Sequence, residues 1–164
     1  MSRRGAFGWV LVVVGVVLAS VALYLALRPE PTGVEPWSAD DADPRTYAAE
    51  LVDATNAARA DEGLTALAVS ECATEAATGR AEDLSGGADL EHAPLAPVIE
   101  ACAPASSAAE NLARAAASPQ DVVDAWLDSA GHRANLLDPD LAEVGIGCRL
   151  DGDEMLCSQV FLGP

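Results

Sequence analysis

The first pattern along the chain is an unbroken apolar run. Ala6 to Leu27 holds 22 residues without a charge, behind Ser2-Arg3-Arg4. A signal-peptide core needs only ~7–15 apolar residues, whereas a spanning helix needs ~20. Residues 1–28 therefore read as an N-terminal transmembrane anchor, with the two arginines keeping the N-terminus cytoplasmic. A long cleaved signal peptide is the alternative, although no convincing small-x-small site lies near Leu27. Residues 29–43, PEPTGVEPWSADDAD, hold three prolines and five acids and no apolar periodicity. They predict an extended acidic linker that packs no core. Trp37 either docks on the following domain or stays solvated.

From residue 44 the apolar spacing becomes helical. Asp43-Pro44 supplies an N-cap and a proline for the first helical position. Tyr47, Leu51, Ala54 and Ala58 follow on one face, and Gly63 stops the helix. Ser70 opens a second helix with Cys72, Ala73, Ala76 and Ala77 as a small-residue face. It runs out at Leu84 and Gly86-Gly87. Asp89 to Ser107 reads as loop and short helical turns, punctuated by Pro94, Pro97 and Pro104. Ser118-Pro119-Gln120-Asp121 starts another capped helix with Val122, Ala125 and Trp126 as its buried stripe. That helix is expected to end before Gly131-His132. Asp138-Pro139 marks a turn.

At the C-terminal end the period falls to two. Val144, Ile146, Cys148 and Leu150 alternate on one arm, and Met155, Cys157, Gln159 and Phe161 on the other. The turn at Gly152-Asp153 sets 150 opposite 155 and so Cys148 opposite Cys157. Directly opposed residues have Cβ atoms ~4.5–5.5 Å apart, near disulfide reach. With four cysteines in an exported domain, this selects Cys148–Cys157 and leaves Cys72–Cys102. The second bridge closes a loop of about thirty residues and contributes roughly 3–4 kcal/mol. Metal binding through cysteine has no C-x-x-C to support it.

Composition narrows the partners. The 164-residue chain has no lysine and 26 acids. Beyond residue 29 stand all 26 acids and six arginines, a net charge of −20. Phosphates are repelled by such a surface, which excludes nucleic acid and anionic lipid headgroups as partners. Residues 44–164 suffice for one domain with its own core, and a monomer is expected.

Candidate chemistry is confined to a few side chains. His92 and His132 are the only histidines, so imidazole chemistry must come from this pair. Glu110 is a lone acid inside the Ala-rich stretch Ala108–Ala113. Two imidazoles and a placed carboxylate are the donors of a divalent site or an acid–base site. The plainer alternative is that Glu110 binds backbone or Asn135 and the histidines satisfy local polar needs.

Several motifs occur in a set order: Ala109-Glu110-Asn111-Leu112-Ala113, the helix ending in Ala125-Trp126, Gly131-His132-Arg133-Ala134-Asn135-Leu136-Leu137, Glu143-Val144-Gly145-Ile146-Gly147, and Gln159-Val160-Phe161. The series resembles the CAP superfamily of cysteine-rich secretory, antigen 5 and pathogenesis-related proteins, the short bacterial secreted members above all. The resemblance covers about residues 46–163. It implies an α+β fold, an α-β-α sandwich with a small, largely antiparallel sheet between helical layers. It implies a surface cleft with two histidines and two acids, matched here by His92, His132 and Glu110. The position of the second acid is taken here by Ser129, and Asn111, Asn135 and Ser129 would support the cleft.

The metal reading has His92, His132 and Glu110 holding Zn²⁺ or another divalent ion, with Glu110 as third ligand or general base. No serine or cysteine nucleophile is evident and the second acid is missing, so catalysis is left open. Four functions compete. One is an extracytoplasmic binding module for a peptide, lipid or other extracellular partner. Another is a metal-dependent hydrolase or protease acting on cell-surface material, a third a lipid- or sterol-binding domain, and the last a structural domain with no ligand.

Overall fold

A computed structural model describes residues 37–87 and 89–164. The segment read as an anchor, residues 1–28, lies outside the described residues. Among the described residues no helix is long and apolar enough to cross a membrane.

The packed body begins earlier than residue 44. Ser38 caps a 3-10 turn over Ala39–Asp41. Trp37 packs edge-on against Tyr47, with ring centroids 5.9 Å apart. The end of the acidic linker is thus part of the domain, because Trp37 has an aromatic partner to bury against. Helix α1 (Pro44–Asp61) starts where expected, with the Asp43 carboxylate accepting from the Thr46 backbone N–H at 2.8 Å. Its buried stripe is Tyr47, Leu51, Thr55 and Arg59, with Ala54 and Ala58 packed at its flank.

Strand β1 (Ala68–Val69) is short and leads into α2 (Glu71–Asp83), capped by Ser70. Helix α3 (Ala96–Ala101) falls within the segment expected to hold short helical turns. Strand β2 (Ser107–Ala115) was not evident from periodicity. Helix α4 (Pro119–Asp128) carries the Ser118–Asp121 capping box. It does not run up to Gly131: extended backbone at Ser129 breaks it, and α5 (Ala130–Leu136) begins at once. Gly131 and His132 therefore lie inside a helix. Strands β3 (Glu143–Asp151) and β4 (Glu154–Gly163) form the expected hairpin, with 150 opposite 155 and 148 opposite 157.

The sheet order is β1-β3-β4-β2, parallel between β1 and β3 and antiparallel elsewhere. Alternation along β3 and β4 separates two cores. Val144, Ile146, Met155, Cys157 and Phe161 face α1 and α4, joined by Val122, Val123 and Trp126. Val160 and Leu162 face α2, with Ala73, Ala77 and Cys102. The α2 side is unusually close. A methyl on Gly145 would overlap the Thr74 backbone nitrogen, and one on Gly147 the Thr78 backbone. The glycines and the small-residue face of α2 together let helix backbone rest on strand backbone.

Both disulfides form. Cys148–Cys157 links adjacent strands with Cα atoms 4.2 Å apart. Cys72–Cys102 ties the first turn of α2 to the end of α3 across 5.7 Å. No free cysteine remains among the described residues.

Candidate functional site

The free edge of β2 organises the candidate cleft. Glu110 stands opposite Val160 on the α2 face of the sheet, and Asn111 opposite Gln159 on the other face. An edge strand leaves backbone carbonyls unpaired, and side chains here cap two of them. Asn135 Nδ2 donates to the Glu110 carbonyl at 3.2 Å, and Trp126 Nε1 to the Leu112 carbonyl at 3.1 Å. Asn135 also donates to Asn111 Oδ1 at 2.9 Å. Asn111 Nδ2 donates to Gln159 Oε1 at 3.1 Å and to the His132 carbonyl at 3.4 Å. Gln159 Nε2 continues the chain to Thr55 Oγ1 at 2.9 Å. This buried network fixes α5, and therefore His132, against the sheet edge.

On the α2 side, the Glu110 carboxylate is sealed, with its side chain 2% exposed. Oε1 accepts from Ser158 Oγ at 2.9 Å and lies 3.4 Å from Arg80 Nε, an ion pair rather than an aligned hydrogen bond. Oε2 lies 2.8 Å from His92 Nδ1. A carboxylate has only acceptors, so His92 donates from Nδ1 and its Nε2 is left free. The His92 side chain is 56% exposed, which puts Nε2 at the surface. His132 is half-buried. Burial, and then the charge of nearby His92, lower its pKa from 6.5. It is a neutral imidazole at neutral pH.

The expected residues are therefore brought together, but in altered roles. His92 and His132 come within electrostatic reach of each other, and Asn111 and Asn135 hydrogen-bond to each other at the edge of β2. Glu110 does not fit as a third metal ligand or general base, because both of its oxygens are engaged inside the protein. Among the described residues no group of three or more His, Cys, Asp or Glu side chains is arranged to hold a metal. The Ser129 side chain makes no cap bond to α5, and its extended backbone is the break between α4 and α5. Arg133 leaves the turn and pairs with Glu62 at the surface, at 2.9 Å.

Sequence reasoning missed Arg80, which contacts Glu110 and donates from Nη2 to the Glu91 carbonyl next to His92. Its one signal was position: an arginine one helical turn after Ala76-Ala77, on a helix otherwise small or acidic.

A three-layer sandwich with two disulfides and imidazoles at the edge of its sheet defines the class. Residues 52–161 match the family model of the cysteine-rich secretory protein family, CAP, and the chain belongs to that family. It is 29% identical over 123 residues to YkwD of Bacillus subtilis, an uncharacterised protein, spanning 71% of this chain and 47% of that one. Its fold is similar to an extracellular SCP-domain protein of Bacillus anthracis, with TM-score 0.65 and 24% identity over 74% of this chain and 41% of the other. A cysteine-rich secretory protein of Staphylococcus aureus gives TM-score 0.66 at 19% identity, over 76% and 40%. The chain thus spans less than half the length of these relatives.

Proposed function

We infer that the protein is an extracytoplasmic binding module whose cleft presents two imidazoles at the edge of its sheet. Two disulfides support an oxidising compartment. The saturation of Glu110 carries the functional reading. A hydrolytic zinc centre takes three protein donors and keeps one open position. Here the carboxylate braces His92 from behind instead. His92 Nε2 and His132 would hold a divalent ion between them, which would supply a polarising charge to a bound group. His92 Nε2 and a ring nitrogen of His132 would also accept hydrogen bonds from a peptide or hydroxyl partner without any metal.

The test is zinc titration of the imidazole NMR signals beside peptide and ester hydrolysis assays. The binding reading expects the two histidines to respond together and no hydrolysis to depend on Glu110 or His132. Hydrolysis abolished by both Glu110→Gln and His132→Ala would replace it with the hydrolase reading.

A groove favours a second ligand. About 530 Å³ lies between α1 and α2, floored by Ala48, Val52, Val69, Ile146, Gly147 and Cys148. Its apolar floor suits a small apolar or lipid-like molecule. Organic extraction and mass spectrometry of the purified protein test this; an extract empty of bound apolar species speaks against it.

A further inference from the structure

We propose that Arg80 is the positioning residue of the cleft, locking the His92 loop onto Glu110 so that Nε2 rather than Nδ1 faces the ligand. This rests on reading the cleft as the binding site. Arg80 sits in the last turn of α2, a rigid element held by the Cys72–Cys102 bridge. One edge of its guanidinium meets Glu110 Oε1, and Nη2 reaches the Glu91 carbonyl. Glu110 Oε2 in turn meets His92 Nδ1. The four groups close a ring: α2 to β2, β2 to the imidazole, the imidazole's own loop back to α2. Nε and Nη2 are neighbouring donors on one edge of the planar guanidinium, so a single group reaches both acceptors, which the point charge of an ammonium does less well. A pocket of about 450 Å³ opens beside the ring, lined by Arg80, Leu84, Asp89, Glu91, His92 and Ala93.

The other end of the loop has separate ties. Arg114 Nη2 donates to the Leu84 carbonyl at 2.7 Å, and the Gly86 N–H donates to Asp151 Oδ1 at 2.9 Å. The Gly86 bond and the Arg114 charge hold the Asp151 carboxyl below its usual value. Loss of that tie should leave His92 unmoved, and this separates the ring from general loop anchoring.

The experiment is long-range nitrogen–proton NMR of the imidazole tautomers in the full chain at one alkaline pH. The parent should show His92 protonated on Nδ1 alone. Arg80→Gln should shift His92 to a mixture dominated by Nε2–H, the form an untethered imidazole prefers, with His132 and the hairpin signals unchanged. Arg80→Lys should keep part of the Nδ1–H form, and Asp151→Asn, a control on the parent, should keep all of it. A mutation-free reading accompanies these: in the parent, the Arg80 side-chain N–H protons should exchange slowly with solvent and show proximity to the His92 ring. Nδ1–H unchanged in Arg80→Gln, or freely exchanging Arg80 protons, overturns the proposal. A parent His92 protonated on Nε2 would instead overturn the cleft itself.

Discussion

Tyr47, Leu51, Thr55 and Arg59 line one face of α1, and the lower half of that stripe is polar. Arg59 is 1% exposed and is satisfied by carbonyls rather than by a carboxylate. Nε donates to Thr65 at 2.9 Å, and Nη1 to Leu136 at 2.8 Å and Asp138 at 2.9 Å. It thereby fastens the end of α1 to the loop between α5 and β3. Arg59→Met should cost about 2–5 kcal/mol in urea unfolding, since several buried acceptors lose their donor. A loss under about 0.5 kcal/mol, the range of ordinary surface substitutions, would refute that role. Tyr47 gives a sharper test. Burial, then Asp121 and Glu50, push its hydroxyl up to about 12, and the hydroxyl donates to the Ala117 carbonyl at 2.8 Å. Between its ordinary value of 10 and about 12, the folded state holds a proton that the unfolded state has lost. Stability should therefore fall as pH rises through that window, and Tyr47→Phe should remove that fall. His132 acts in the opposite sense. Its neutral form is favoured in the fold, so its contribution is full above 6.5 and erodes as pH falls below that value.

Helices with caps, proline starts and glycine stops were legible in the sequence, as was the hairpin with its disulfide. Strand β2 was not. Ser107–Ala115 holds four alanines with Ser, Glu, Asn, Leu and Arg, a composition with little strand preference. Nine residues pair with β4 because that strand offers a complete unpaired edge, a tertiary cause that local pattern does not carry. The same gap hid how Glu110 would sit, since a strand position sends it to the α2 face and into the reach of Arg80. The break at Ser129 was also hidden, because Trp126 and Asn135 both reach β2 and force α4 and α5 into separate directions. The glycines of β3 were visible as a motif, while their reason lies in the approach of α2. Gly147→Ala should cost about 1–3 kcal/mol or more by forcing helix and strand apart. Calorimetry showing Tm within a degree of the parent would mean the layers have slack there.

At the scale of the whole molecule, charge dominates. From residue 37 onward there are 24 acids and six arginines, a net charge of −18. Only Arg45 and Arg133 are exposed among those six, the other four being buried or half-buried. Self-repulsion of this size weakens the compact state and is screened by salt. Tm should rise between about 0.01 M and about 1 M sodium chloride; a flat or falling Tm would show that the acids are already compensated. The family was legible because its motifs cluster on β2, α5 and the hairpin, the parts that build the cleft. The cleft's electrostatics were not, because they depend on Arg80 and on how deeply Glu110 is covered.

The central claim is that two imidazoles forty positions apart in the chain meet at one sheet edge. Titrating His132 by NMR in the parent and in His92→Gln tests it most directly. The account predicts that His132 titrates below 6.5 in the parent and moves upward when the neighbouring charge is removed. A His132 midpoint that is the same in both proteins would place the two rings apart and contradict the account.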